Sequence, residues 1–477
     1  MNANPRNGRL SAMVLKAMSV FGGVQVVNIM CSIVRTKLVA LLMGPIGIGL
    51  FGLYNSAIEM LSSLLQLGLR NSAVRDVAAT TDQSRVKIIV EVVRRWSWLL
   101  GIFAAVVTLA LSPQLSQWTF GDSNHTCGFM ALAIVMMLSA ISNGELAIMQ
   151  GLKQLKRLAK ASLWGVVGGL AVSVPLFYYW GIDSIVPALI AYAVITTFAV
   201  YVNRSRPEKL PCTLSLKETF TMGRGFIVLG IYMTISAFAA MLASYIFMVY
   251  LNHEADVTTV GHYQAGYTLV NRYVGLIFTA IAMEYYPRLS QTIAHRGRCS
   301  TMVSHEIKIT LWVLVAVIAV FISAKDLIIT LLYAAEFKTI APFITWAIVG
   351  MVFRAVSWCM AFVILARGDG KLYLITETSS AIIGLALNIV AFELWGLDGL
   401  GFAYILWYVI YTIIVASVYR YRYHMRLGKG IVRLIIFATV TSVSAALLST
   451  FVGWWGASIV AVVAVFFSAR RLILHSR

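Results

Sequence analysis

Residues Gly261 to Arg288, GHYQAGYTLVNRYVGLIFTAIAMEYYPR, form an apolar stretch of membrane-crossing length with an arginine, Arg272, near its middle. An arginine at the centre of a membrane helix costs roughly 2.5 to 3.5 kcal/mol on insertion scales. A guanidinium is tolerated there when it faces a hydrated cavity or an anionic partner. The stretch therefore predicts one wall of a polar chamber inside a membrane protein.

The composition of the whole chain agrees. Of its 477 residues, 60% are hydrophobic and 12% charged, and the mean hydropathy is +0.83. At about 20 residues per crossing this length allows many spans. The expected fold class is an all-α polytopic membrane protein, since the apolar stretches are too long and unbroken for barrel strands of about ten alternating residues. Cys31, Cys127, Cys212, Cys299 and Cys359 show neither pairing nor metal-ligand spacing, which predicts inert thiols and no metal site. The start, MNANPRNGRLSAM, has no small-residue cleavage site behind a short apolar core, so no cleaved signal peptide is expected.

Fourteen apolar segments follow in order: 13–43, 46–69, 90–112, 128–150, 160–180, 184–203, 222–251, 260–286, 307–333, 341–366, 372–395, 399–419, 431–453 and 455–469. The net charge of +19 is distributed unevenly between their connections. Even-numbered loops hold the basic residues, among them Arg70, Lys87, Lys153, Lys156, Arg204, Lys209, Arg296, Arg298, Arg367, Lys371, Arg420 and Arg426. Odd-numbered loops have almost none, with Lys325 and Lys338 as exceptions near the ninth. By the positive-inside rule both termini are cytoplasmic, and the basic excess is a topology signal rather than a nucleic-acid surface.

The chain also repeats itself. Trp180-Gly181-Ile182-Asp183 after the fifth span recurs as Trp395-Gly396-Leu397-Asp398 after the eleventh, and Ile48-Gly49-Leu50-Phe51 is echoed by Val260-Gly261-His262-Tyr263. Both pairs lie six spans apart, which predicts a duplicated six-helix unit. An even number of spans gives both copies the same orientation, related by a pseudo-twofold axis along the membrane normal. The expected organisation is an N-lobe at 1–204, a cytoplasmic linker at 205–224, a C-lobe at 225–420, and an extra helix pair with a tail at 421–477.

Ionisable groups within the spans indicate what the lobes would enclose. At 1.5 Å per residue, Arg272 and Arg354 fall near mid-depth of the eighth and tenth helices, and Arg35 and Lys37 lie roughly 8 to 10 Å outward of the first helix's centre. Three acids are candidates for a cavity or a coupling role: Glu59 near mid-depth of the second helix, and Glu145 and Glu377 in the inner halves of the fourth and eleventh. Convergent bases suit a phosphate-bearing ligand, because guanidinium presents a two-pronged donor to phosphate oxygens. Structural alternatives stand beside these roles. Arg35 and Lys37 can snorkel to headgroups, Arg272 or Arg354 can pair with an acid such as Glu59, and Glu145 and Glu377 can cap cytoplasmic loops. Asn28 and Asn271 are candidate polar cavity residues, although asparagines within spans more often bond between helices. No catalytic triad, metal cluster or phosphate-cradling glycine loop is present in the sequence, so no enzyme activity and no cofactor is expected.

Lys37-Leu38-Val39-Ala40, Gly44-Pro45-Ile46-Gly47-Ile48-Gly49 and LLQLGLRNSAVRDV at 64–77 resemble the first hairpin of the bacterial O-antigen and enterobacterial-common-antigen flippases, the Wzx type. Tyr286-Pro287-Arg288-Leu289-Ser290 and Phe337-Lys338 are similar to later parts of the same family, within the multidrug/oligosaccharidyl-lipid/polysaccharide exporter superfamily. The resemblance covers about residues 10 to 420. It implies a cationic central cavity that opens alternately to either side of a bacterial inner membrane. The implied cargo is an undecaprenyl-pyrophosphate-linked oligosaccharide, moved from the cytoplasmic to the periplasmic leaflet, with a polysaccharide polymerase and a chain-length regulator as partners. Lys37 matches the lysine of the family's first helix, and Arg272 and Arg354 occupy helices that line the cavity. Relatives of this kind commonly have twelve spans, so residues 430–470 are an addition. The energy source is open between proton or sodium coupling at an acid and the membrane potential. Two rival classes stand beside this one: a cation-coupled small-molecule exporter of the MATE type, which would be expected to carry deep carboxylates, and a membrane polymerase or glycosyltransferase, which would need a longer outer loop than 112–128.

Overall fold

The computed structural model describes residues 5–66, 68–70, 73–74, 77, 82–205 and 216–476; within these, side chains at 5–22, 83–84, 216–233, 280, 283, 286–287 and 474–476 are outside the description. Among the described residues every regular element is helical. In chain order these are α1 (Pro5–Leu65), α2 (Gln83–Phe120), α3 (Thr126–Gly151), α4 (Leu155–Trp180), α5 (Ile185–Asn203), α6 (Leu216–Glu254) and α7 (Val257–Tyr267). They continue as α8 (Leu276–Thr292), α9 (Arg296–Leu332), α10 (Ala341–Val349), α11 (Met351–Ala366), α12 (Gly370–Ser417), α13 (Lys429–Phe451) and α14 (Trp454–Ser476).

Among the described residues nine helical runs are long and apolar enough to cross a bilayer, ten if the bent pair α10–α11 is one span. The sequence predicts fourteen crossings; three of the runs each hold two of them, and the eighth span, 257–292, interrupted by a π-helical turn, is not among the runs. Runs 23–65, 155–203 and 370–422 contain 43, 49 and 53 residues. At 1.5 Å per residue each would be about 65 to 80 Å long if straight, more than twice a hydrocarbon core of about 30 Å. Each is broken by one glycine: Gly44 at φ 64°, ψ −159°, Gly181 at φ 55°, ψ −132°, and Gly396 at φ 61°, ψ −147°. A positive φ with ψ in this range is open essentially to glycine alone. Each run is thus two arms of bilayer length. Gly181 and Gly396 are the glycines of the two WGxD copies, so the repeated sequence makes the same backbone step twice.

The chain divides into two compact units, Met1–Met241 and Leu242–Arg477. The division falls inside α6, later than the linker expected at 205–224, of which 206–215 lies outside the described residues. In the first unit α2 packs on α3, α4 on α5, α3 on α5 and α1 on α4. Val92, Val93, Trp96, Ala147 and Ile148 form part of its core. Small residues set the closest approaches, as membrane helices require: a methyl at Gly169 would lie 2.5 Å from the Tyr192 ring, and one at Gly144 would lie 1.8 Å from Ser97 Oγ. Half-buried polar contacts add to this packing, with Asn143 donating to Gln66 at 2.9 Å and Ser142 within 2.8 Å of Thr197.

In the second unit α9 is the central helix, with Leu311, Leu314, Val315 and Ile318 fully buried against α11, α13 and α14. The two helices beyond the repeat are therefore part of this unit's packing. Lys325 of α9 fastens them further by donating to Ser449 of α13 at 2.7 Å. Tyr178, Tyr179, Trp180 and Trp395 beside the glycine corners are exposed, as interfacial aromatics are.

A methyl at Gly396 meets nothing within 4 Å, so its requirement is the dihedral and not space. Gly396→Ala should destabilise the protein by about 1 to 3 kcal/mol, and Gly181→Ala by a similar amount, read as a lowered thermal unfolding temperature of the purified protein. Wild-type melting of either variant would show that its corner relaxes without glycine.

Candidate functional site

Two spans of the second unit are irregular at mid-length. The eighth consists of α7, a π-helical turn at Thr268–Val274, and α8. A π turn inserts one residue into the helix and offsets the side chains beyond it, a feature frequent at functional positions. Gly275 ends the turn, and a methyl there would lie 2.0 Å from the Asn271 carbonyl oxygen. The tenth span bends by 42° at Gly350, between α10 and α11. A methyl at Gly350 would lie 2.7 Å from Tyr404 Cδ1, so its absence admits α12 to the bend. The two breaks carry Asn271 and, one turn on, Arg354.

These side chains meet. Arg354 Nη1 donates to Asn271 Oδ1 at 2.5 Å and approaches the Tyr404 hydroxyl at 3.0 Å, while that hydroxyl donates to the same Oδ1 at 2.9 Å. Arg354 Cζ lies 5.4 Å from the Phe278 ring centre and 5.5 Å from that of Tyr408, within cation–π range. Among the described residues no carboxylate stands within 4 Å of Arg354; the ion pairs involve other groups. Tyr404, Tyr408 and Tyr411 share one face of α12 at i, i+4 and i+7. Tyr404 and Tyr408 have ring centres 4.8 Å apart. Beyond them the Tyr411 hydroxyl donates to Glu377 Oε1, and Glu377 interacts with Arg354 only at longer range. The arrangement stabilises a cation with neutral oxygens and ring faces and, among the described residues, sets no carboxylate in contact with it.

Arg272, one residue past Asn271, is exposed. The remaining candidates belong to the first unit. Arg35 is half-buried, its Cζ 5.1 Å from the Phe51 ring centre and 5.1 Å from that of Tyr192, so its guanidinium is seated between rings from α1 and α5. Lys37, Asn28 and Glu59 are half-buried, and Glu59 accepts from Asn55 at 2.8 Å. Glu145 has a different setting. Arg94 of α2 grips it with Nε at 2.6 Å and Nη2 at 3.1 Å, and the same Nη2 donates to the Ser205 carbonyl at 2.5 Å. A buried carboxylate paired in this two-pronged way ties α2, α3 and the end of α5 together. This pairing is the contact the structure shows for the acid.

The structure thus brings Asn271 to Arg354 and sets Glu377 at the far end of the tyrosine row. Sequence reasoning missed Tyr404, Tyr408 and Tyr411. Their spacing in YILWYVIY at 404–411 puts them on one helical face and was the available signal.

Residues 38–342 match the model of a family described as polysaccharide biosynthesis protein. The lipid III flippase of Escherichia coli (strain K12) is 24% identical over 394 residues, spanning 80% of this chain and 92% of its own. Among solved structures, lipid II flippase MurJ in an inward closed conformation has a TM-score of 0.69 at 12% identity, covering 96% of this chain and 100% of its own. An inward-facing multidrug resistance MATE family transporter of the MOP superfamily also has a TM-score of 0.69, at 15% identity, covering 85% and 95%. These two likenesses establish the fold.

The Arg94–Glu145 contact is open to a stability test. Glu145→Gln should cost about 3 kcal/mol, because it leaves an arginine charge without its partner, and should lower the unfolding temperature of the purified protein. Replacing both partners by apolar residues, Arg94→Met with Glu145→Leu, should restore most of the loss. A double variant no more stable than Glu145→Gln would mean the charges are needed in themselves.

Proposed function

The chain belongs to the polysaccharide biosynthesis protein family, and from that premise we propose that it is a flippase for a lipid-linked oligosaccharide. The cargo has an undecaprenyl pyrophosphate anchor and a repeat unit of the O-antigen kind. Its direction is from the cytoplasmic to the periplasmic leaflet of the inner membrane, with both termini cytoplasmic and the lobes at 1–204 and 225–420 rocking about a linker at 205–224. The observation that carries the proposal is the Arg354 guanidinium, held by Asn271 and Tyr404 with no carboxylate beside it among the described residues.

A lipid-linked sugar has a tail suited to the bilayer and a head that is not. Its pyrophosphate and hydroxyls cannot cross hydrocarbon without polar partners along the way. A guanidinium neutralised by an acid would offer such a head little. Arg354, kept charged by neutral groups, offers a two-pronged donor to phosphate oxygens. Arg272, Arg35 and Lys37 would add positive charge along the path, and alternating access would move the occupied site from one face to the other. With the cytoplasm negative, outward movement of each anionic charge gains roughly 2.3 kcal/mol per 100 mV, so the membrane potential is the proposed drive. Glu59, Glu145 and Glu377 are the acids at which proton or sodium coupling would act instead.

Reconstituted full-length protein should transfer a lipid-linked oligosaccharide across proteoliposomes. Arg354→Ala should slow the initial rate at least about tenfold, the loss expected for a hydrogen bond to a charged group, and Arg272→Ala should slow it by a smaller factor. Undiminished transfer by both variants at normal expression would remove the phosphate role. Uptake of a cationic dye without sugar transfer would identify a small-molecule exporter instead.

A further inference from the structure

The contacts of Arg354 leave one group over. Asn271 Oδ1 accepts from both Arg354 Nη1 and the Tyr404 hydroxyl, and two donors on one atom fix which end of the amide is oxygen. Nδ2 is then the amide's other arm. It is buried and has no hydrogen-bond partner among the described residues. Buried amide donors are nearly always satisfied, so an orphan in a helical interior calls for a physical reason. Three features surround the amide that bears it: an arginine whose Nη1 lies 2.5 Å from its Oδ1, with no carboxylate in contact among the described residues, a π-helical turn that presents Asn271, and a second arginine, Arg272, at the next position.

We infer that Asn271 is itself a ligand-binding residue, its Nδ2 and the Arg354 guanidinium forming an anion subsite for one phosphate group of a lipid-linked substrate. In the empty state Asn271 holds Arg354 through Oδ1. An arriving phosphate oxygen accepts from the guanidinium and from Nδ2, which satisfies the orphan donor. The Tyr404 hydroxyl stays on Oδ1 and keeps the amide from flipping. Tyr404 is a positioning residue, Asn271 a binding one. The inference rests on the flippase reading above, because that reading makes Arg354 a phosphate donor.

Aspartate is nearly the same shape as asparagine, and this separates a binding role from a structural one. At position 271 it would replace the donor by an acceptor and cancel the Arg354 charge with an ion pair. If Asn271 only braces the helices, Asn271→Asp should behave close to wild type and Asn271→Ala should be the worse variant. If Asn271 binds phosphate, the order reverses.

The experiment is equilibrium binding to the purified full chain in detergent, with thermal unfolding measured in parallel. The probes are a polyprenyl pyrophosphate, inorganic pyrophosphate and phosphatidylglycerol. Wild type should bind the polyprenyl pyrophosphate, Asn271→Ala about tenfold more weakly, and Asn271→Asp at least about a hundredfold more weakly while melting no lower than wild type. Asn271→Asp binding within threefold of wild type, or Asn271→Ala weaker than Asn271→Asp, overturns the inference. If only phosphatidylglycerol shows the dependence on Asn271, the subsite takes bilayer headgroups and the assignment to the substrate is overturned. Should Asn271→Asp fail to fold, Asn271→Ala decides alone, and an undiminished affinity sinks the proposal. Arg354→Ala separates the two levels. If it binds as wild type does, the flippase reading of Arg354 fails; if it alone loses binding while both Asn271 variants keep it, only the present inference fails.

Discussion

A guanidinium in the interior of a membrane helix can be stabilised by a carboxylate, by water, or by neutral dipoles and ring faces, and the second unit uses the last of these for Arg354. The choice has structural consequences. Asn271 and Phe278 come from the eighth span, and Tyr404 and Tyr408 from α12, so these two must converge with α11 on one atom group. Regular helices would not present them together. The π turn at Thr268–Val274 and the 42° bend at Gly350 are the backbone departures that allow it, and Gly275 and Gly350 are the residues that make those departures sterically possible.

The glycine corners answer a different constraint. In hydrocarbon every backbone N–H and C=O must be bonded within the protein, so a helix turns where it leaves the lipid. Gly44, Gly181 and Gly396 turn the chain in a single residue. Two of these corners sit in WGxD copies with exposed tryptophans beside them, which joins the turn to an interfacial anchor. The duplication visible in the sequence is therefore a duplication of a device, a corner with its anchor.

Composition and span length made the fold class legible, because apolar runs of bilayer length are rarely compatible with any fold outside a membrane. The span count was legible for the same reason, although continuous helical bonding across a one-residue corner merges what the hydropathy separates. Arg354 and Asn271 stood out individually as polar residues in apolar helices. Their contact did not, since they are 83 positions apart and the π turn shifts the helical phase on which any facing argument depends. The Arg94–Glu145 pair was hidden by distance along the chain: the two residues are 51 positions apart, on separate apolar segments, and no spacing within either segment points to the other. The tyrosines at 404, 408 and 411 look like ordinary aromatic packing until a cation is found against them.

The chain treats its half-buried arginines in two ways. Arg94 is locked to Glu145 by two hydrogen bonds and to a carbonyl by a third, a contact strong enough that breaking it leaves a stranded charge. Arg35 and Arg354 are each set between two aromatic faces, at 5.1 and 5.1 Å and at 5.4 and 5.5 Å. A cation–π contact stabilises by about 0.5 to 2 kcal/mol without cancelling the charge. An anion approaching Arg354 has no contacting carboxylate to displace among the described residues, whereas at Arg94 it would have to displace Glu145. Under the flippase reading proposed above, the charge must be stable when empty and still attractive to an anion, and ring faces with a carboxamide meet both conditions where a salt bridge meets only the first.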